Sequence, residues 1–91
     1  MLNKRFTAVL QKHRRKGSWT YVVWPESVRF FRTRGIAKIR ETIDGHPFRS
    51  SFMAMGNGKH MLPVRSEIRR LIGKEAGAPV TVHLQDRIDS D

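Results

Sequence analysis

The sequence predicts a small, mostly β domain in which six strands and two short helices form a closed barrel. Three observations support this prediction. Apolar and polar residues alternate along much of the chain, which is the period of a half-buried strand. Turn signals at Asp44-Gly45 and at residues 56–58 separate consecutive strand patterns. Two segments with apolar residues at helical spacing interrupt the strands.

The first part of the chain supplies two strands and a helix. The segment RFTAVLQKH, residues 5–13, alternates along its length and predicts the first strand. A basic loop, residues 14–18, leads to an aromatic and β-branched second strand over 19–24. Residues 25–35 predict a short helix that starts near Pro25 and is capped at its C-terminus by Gly35.

A hairpin follows, with strands over 36–43 and 46–55 joined by the two-residue turn Asp44-Gly45. This turn sets the register: Ile43 faces His46, Arg40 faces Arg49, and the pairing continues to Ala37 and Phe52. One face is then apolar except for Glu41, which is out of place there. The other face carries a strip of cations and hydroxyls, namely Lys38, Arg40, Arg49 and Ser51 beside Thr42 and Met53.

Arg40 and Arg49 repel each other if nothing compensates their charges. Three arrangements relieve the repulsion: solvation of both side chains, a carboxylate from elsewhere in the fold, or a bound anion. The pattern itself leaves all three open.

The last part of the chain predicts a fifth strand over 59–64, a second helix over 65–73 and a sixth strand over 80–85. Ser66 suits the start of that helix and Gly73 its end, with Ile68, Leu71 and Ile72 as its apolar stripe. The domain spans residues 1–88, and residues 89–91 form a frayed acidic tail.

The two helices belong to units with a shared pattern. Val28-Arg29 and Ile68-Arg69 lie 40 residues apart, and each helix is followed by a glycine and by an alternating strand that ends at an aspartate. A spacing of this size is typical of repeated supersecondary units. Two strand–helix–strand units can close on each other as one barrel, so we expect a pseudo-repeat.

The composition restricts the partners and the compartment. Eighteen lysines and arginines against eight acids give a net charge of +10 in 91 residues, without cysteine. This charge suits nucleic acid or another polyanion, although charge that only maintains solubility gives the same numbers. Disulfides and thiolate metal sites are excluded. No apolar run has the length of a membrane span or a signal sequence, so we expect a cytoplasmic protein without membrane contact.

We expect no enzymatic activity, cofactor or metal. Ser50, Ser51 and the histidines lack a nucleophile-elbow motif, and most acids suit caps and turns. No histidine pair has helical spacing, and the turn glycines do not form a phosphate-binding loop.

Two basic groups are the candidate anion- or nucleic-acid-binding residues. The first is the hairpin strip of Lys38, Arg40, Arg49 and Ser51, because arginine suits bidentate contacts with phosphate. The second is the loop cluster of Arg14, Arg15 and Lys16, which Lys12 precedes; the other basic clusters, over 29–34 and 65–70, are not selected as sites. Aromatic residues follow the loop cluster, namely Trp19, Tyr21 and Trp24. These rings can stack on bases or pack in the core. Trp19 and Tyr21 fall on one face of the predicted strand and Trp24 on the other, so at least one of the three rings is expected in the core.

The segment KIRETIDGHPFRSSFMAMGNGKHMLPVRSEIRRLIGKEAGAPVTVHL resembles the bacterial domain-of-unknown-function family number nineteen-oh-five. IDG, FRSS, GNG, LPV and VHL occur in order, and FTAVLQK and WTYVVWPESV fit its opening. Glu41 stands where this family leads us to expect a small residue. The resemblance implies a double-split β-barrel, the fold group of the AbrB/MazE/MraZ-like DNA-binding proteins. It implies no assigned activity.

These observations favour a non-enzymatic binding module that contacts the phosphates of nucleic acid or another polyanion, as a monomer or a homodimer. The alternative is a protein-interaction or small-ligand module, related to stress or bacteriocin protection, with no role for nucleic acid.

Overall fold

The computed structural model describes residues 2–12, 19–55 and 58–88, and these contain seven strands and two helices. Arg14, Arg15, Lys16 and the tail over 89–91 lie outside the described residues. The elements, in chain order, are β1 (Lys4–Val9), β2 (Gln11–Lys12), β3 (Thr20–Val23), α1 (Ser27–Phe31), β4 (Ala37–Ile43), β5 (His46–Ala54), β6 (His60–Pro63), α2 (Ser66–Ile72) and β7 (Pro79–Arg87).

All strands belong to one antiparallel sheet in the order β1-β7-β4-β5-β6-β3-β2. The two ends of this order, β1 and β2, are separated in the chain by Leu10 alone. The sheet therefore curls round until its ends nearly meet. The prediction of a mostly β, barrel-like fold with two short helices is confirmed, and the pseudo-repeat stays a prediction.

The strand count of six was wrong, because Leu10 divides the first predicted strand into β1 and β2. The amide of Leu10 donates to the carbonyl of Ala78 (2.9 Å), and its carbonyl accepts from the amide of Gly77 (2.8 Å). The Leu10 side chain is buried in the core. The pairing partner changes at this corner. Before Leu10, β1 pairs with β7, and after Leu10, β2 pairs with β3.

The central hairpin has the predicted register at each of its cross-strand pairs, from Ile43–His46 through Arg40–Arg49 to Ala37–Phe52. Asp44 and Gly45 have φ values of 47° and 85°, as a type I′ turn requires. Asp44 accepts hydrogen bonds from the amide of Thr81 (2.8 Å) and from Lys74 (2.6 Å). Partial burial alone would raise the pKa of Asp44, but these contacts lower it.

Each helix differs from the sequence prediction at one end, α1 at its C-terminus and α2 at its N-terminus. α1 ends at Arg32, which adopts a left-handed conformation, and not at Gly35. In α2, Ser66 is the first helical residue and makes no side-chain cap, whereas Gly73 ends the helix in the left-handed region as predicted. Leu71 is 64% exposed and does not belong to the apolar stripe.

The core is an aromatic cluster enclosed by aliphatic side chains. Phe6 stacks on Trp24 at a centroid distance of 4.8 Å, and Trp24, Phe31 and Phe52 contact each other. Of the three aromatic residues noted in the sequence, Trp24 and Tyr21 are buried and Trp19 is half exposed. Trp19 alone of these three therefore offers its ring to a partner.

Candidate nucleic-acid interface

The hairpin strip predicted from the sequence lies on one face of the β4–β5 ribbon. Lys38 pairs with Ser51 and Arg40 with Arg49 across the two strands. The three cations are exposed, and Ser51 is partly buried. The structure therefore brings these four residues together. It does not place Arg14, Arg15 and Lys16, which lie outside the described residues.

A carboxylate compensates part of the charge of this strip. Between Arg40 and Glu41 the pairing of β4 with β7 shifts, so that Arg40 lies opposite Asp86 while Glu41 lies opposite Leu84. This bulge leaves Gln85 as the extra residue and brings the Asp86 carboxylate onto the Arg40 guanidinium as an ion pair. Of the three arrangements that the sequence left open, the structure contains the carboxylate from elsewhere in the fold. Arg40 is therefore less available to a ligand.

The ion pair makes the two opposed arginines unequal. We expect Arg40→Ala to lower the free energy of unfolding by about 0.2–1 kcal/mol, because the pair is largely solvated. Arg49→Ala should be neutral or slightly stabilising, because it relieves the repulsion with Arg40. Urea unfolding of both variants measures the difference, which should shrink in 1 M salt. In an Asp86→Ala background, Arg40→Ala should no longer lower the free energy of unfolding. Equal losses of unfolding free energy in both backgrounds would contradict the ion pair between Arg40 and Asp86.

A groove of about 630 Å³ lies beside the strip, between β5, β3 and the start of α2. We call it the Trp19 groove. Its wall contains one aromatic ring (Trp19), three cations (Lys12, Arg65, Arg69), four hydroxyls (Thr20, Ser50, Ser51, Ser66), one carboxylate (Glu67) and the apolar residues Met53, Pro63 and Val64. Ser51 belongs to both the strip and the groove, so the predicted residues adjoin a concave surface that the sequence did not reveal.

The cations of the groove are not equivalent. Arg69 is held by the carboxylate of Glu75 (2.9 Å) and by the carbonyl of Val64 (2.6 Å). Lys12 and Arg65 are exposed and make no ion pair with any residue that the structure describes. Beside them the Trp19 ring is 51% exposed. The groove thus combines a flat aromatic surface, hydroxyls and two available cations, which together can hold a base and its phosphate.

Sequence reasoning identified Trp19 as one of three aromatic candidates but did not select Lys12 and Arg65 as site residues. These side chains come from distant parts of the chain, and their neighbourhood depends on the pairing of β3 with β2 and β6. The available signal was the position of Trp19 directly after a basic loop. It gave no information about which side of the barrel the ring would face.

Two polar side chains are buried outside the groove. Neither carboxyl oxygen of Glu41 has a hydrogen-bond partner among the residues that the structure describes, and Glu41 is 0% exposed. Desolvation raises the pKa of Glu41 to about 9, so this acid is neutral at pH 7. The ring of His60, also fully buried, lies 3.0 Å from the Ser27 hydroxyl through Nδ1 and 2.8 Å from the Gly35 carbonyl through Nε2. Glu41, which the sequence pattern placed as the one acid on the apolar face of the hairpin, is therefore a core residue, as is His60.

The described residues contain neither a cluster of metal ligands nor a long apolar helix. Within residues 2–12, 19–55 and 58–88, no three side chains of His, Asp or Glu form a group that could hold a metal ion. Neither described helix has the length and apolar character that crossing a membrane requires.

Comparison with known proteins gives a family and no function. No protein with a curated description matches the chain. The model of the family described as Domain of unknown function (DUF1905) matches residues 6–84 and so includes the hairpin, both helices and the Trp19 groove. The chain therefore belongs to the DUF1905 family.

Proposed function

We propose that this domain binds nucleic acid through phosphate contacts and does not catalyse a reaction. The observation that supports this most is the half-exposed Trp19 ring in a groove that also contains Lys12 and Arg65. An aromatic plane beside cations that form no ion pair within the described part of the chain suits a base and its phosphate, and stacking on such a plane tolerates any base.

The overall charge points in the same direction. A net charge of +10 produces an attractive field for a polyanion, and neutralised phosphates release counterions on binding. Affinity of this kind falls steeply as salt rises.

Direct reading of a duplex sequence is not part of the proposal. An α-helix or a two-stranded β-ribbon can enter the major groove to read base edges, whereas the ring and the cations of the Trp19 groove offer contacts to base faces and phosphates. α1 has five residues and α2 has seven, and both are too short to lie along the major groove while packed on the barrel. The proposal also includes the finer description of the fold. The barrel has the double-split topology, consists of two pseudo-repeated units and is related to the AbrB/MazE/MraZ-like group. The nearly closed barrel supports this description.

A labelled single-stranded oligonucleotide tests the proposal by fluorescence anisotropy between 50 and 300 mM salt. We expect binding at the low end that weakens about tenfold or more across the range. Arg65→Ala should weaken binding more than Arg70→Ala, a matched control that removes the same charge from an exposed position outside the groove. Tryptophan fluorescence should be quenched on binding through the exposed Trp19, whereas the buried Trp24 should contribute little to the change. The absence of binding at 50 mM salt would refute the proposal.

The competing function, a protein-interaction or small-ligand module, predicts a different salt response. The apolar wall of the groove, Met53, Pro63 and Val64, is the observation in its favour. A partner recognised through this wall would stay bound at 300 mM salt, where the phosphate contacts of a polyanion are largely lost. Retention of a defined partner from a lysate at both salt concentrations would favour that alternative.

A further inference from the structure

A second recess, of about 620 Å³, lies between β1 and α1. We call it the α1 recess. It occurs where β1 and β3 approach each other without pairing, since β1 pairs with β7 and β3 pairs with β2 and β6. The stacked rings of Phe6 and Trp24 line it, and Phe30, which is 37% exposed, contributes a further ring. It shares no lining residue with the Trp19 groove.

The α1 recess is surrounded by positive charge. Lys4, Arg5, Arg29 and Arg32 line it, against one carboxylate, Glu26. All four cations are exposed, and none makes an ion pair with a residue in the part of the chain that the structure describes. Three guanidinium groups around one recess match the geometry of a phosphate, which accepts paired N–H donors.

Arg32 occupies its place at a conformational cost. It ends α1 with φ 57° and ψ 35°, and Gly73 ends α2 with φ 68° and ψ 33°. Both caps use the same backbone bonds, from Arg32 to Arg29 and from Gly73 to Arg70. Glycine adopts this left-handed conformation without strain, whereas an arginine adopts it at an energetic cost because of its Cβ atom. An arginine at such a cap therefore suggests that its side chain has a role, and that side chain lines the recess.

We propose that the α1 recess binds a phosphate ester, with Arg5, Arg29 and Arg32 donating to the phosphate oxygens and Lys4 adding charge. The exposed ring of Phe30 offers a surface to a planar group of the same ligand. This site is separate from the proposed nucleic-acid groove. Its phosphate comes either from a free phosphate ester or from a polynucleotide that extends past the groove.

Calorimetric titration with inorganic pyrophosphate, at constant ionic strength, tests the site. We expect Arg32→Gly to weaken pyrophosphate binding about tenfold or more and, because glycine suits the cap, to raise the melting temperature by about 2–4 °C. Arg29→Ala should weaken binding similarly. The matched control is Arg34→Gly, which removes the same charge from an exposed residue outside the recess with an ordinary backbone conformation.

Two results would overturn the site: Arg32→Gly that binds pyrophosphate as the wild type does, or Arg34→Gly that weakens binding equally, which would indicate only a general field. Titration of Arg32→Gly with the oligonucleotide separates the two sources. A parallel loss identifies the phosphate of a polynucleotide, and an unchanged affinity identifies a free ester. Because Arg65→Ala reports on the Trp19 groove alone, failure of the proposed function would be visible independently of this result.

Discussion

Replacement of Glu41 by methionine should raise the free energy of unfolding by several kcal/mol at pH 8. Burial raises the pKa of Glu41 from 4.5 to about 9. Between these values the unfolded chain releases a proton that the folded chain keeps, so stability falls as pH rises, by about 1.4 kcal/mol per pH unit. The loss reaches about 3 kcal/mol at pH 7. Methionine removes it and leaves no buried oxygen without a partner.

The pH dependence distinguishes this effect from improved packing. In urea unfolding between pH 4.5 and pH 9, the wild type should lose stability that Glu41→Gln retains, so the difference between them should grow with pH. Glu67→Gln is the control, because Glu67 is exposed and its substitution should leave the profile unchanged. Parallel profiles for wild type and Glu41→Gln would show that Glu41 is ionised in the folded protein, and would contradict its burial as a neutral acid.

The hairpin could be predicted in detail from the sequence because its determinants are local. A two-residue turn at Asp44-Gly45 permits one register, and a period of two then assigns each side chain to a face. The same rule identified Glu41 as an apolar-face residue that does not suit its surroundings. It could not indicate whether the acid would be buried in the core, because this depends on the distant strand β7, where Leu84 lies opposite Glu41.

Features that depend on distant segments could not be predicted in this way. Asp86 lies 46 residues from Arg40, and their contact needs a bulge that no local pattern announces. Leu10 divides a continuous alternating pattern because it bonds to Gly77 and Ala78. For α1, the cap rule selected the nearest glycine, Gly35, whereas the amide of Thr33 already turns back to the carbonyl of Val28.

The grooves were unpredictable for the same reason. The Trp19 groove joins residues from β2, β5 and α2, and the α1 recess joins β1 to α1. Composition indicated a positive charge without showing where the charged surface would be concave. The sequence therefore predicted a class of partner, while the fold was needed to show that Lys12, Arg65 and Arg32 line concave surfaces where they could meet it.

No histidine pair at helical spacing singled out His60 in the sequence, and the structure places this residue in the core. A carbonyl can only accept, so Nε2 carries a proton and donates to Gly35, while Nδ1 forms a hydrogen bond with the Ser27 hydroxyl. The ring also lies 5.9 Å from the ring of Phe52, between centroids. It thereby connects β6 to the start of α1 and to the turn before β4.

We therefore expect His60→Ala to lower the free energy of unfolding by about 3–5 kcal/mol, because it leaves a cavity in the core and removes the partner of the buried Ser27 hydroxyl and of the Gly35 carbonyl. Ser27→Ala should cost about 1–2 kcal/mol alone and almost nothing in the His60→Ala background, since the bond it breaks is already lost. Chemical denaturation of both single variants and the double variant measures this coupling. His46→Ala is the control, a half-buried histidine outside the core whose loss should cost less than about 1 kcal/mol. Additive losses for Ser27 and His60 would show that each is held by other contacts and that the ring does not join β6 to α1.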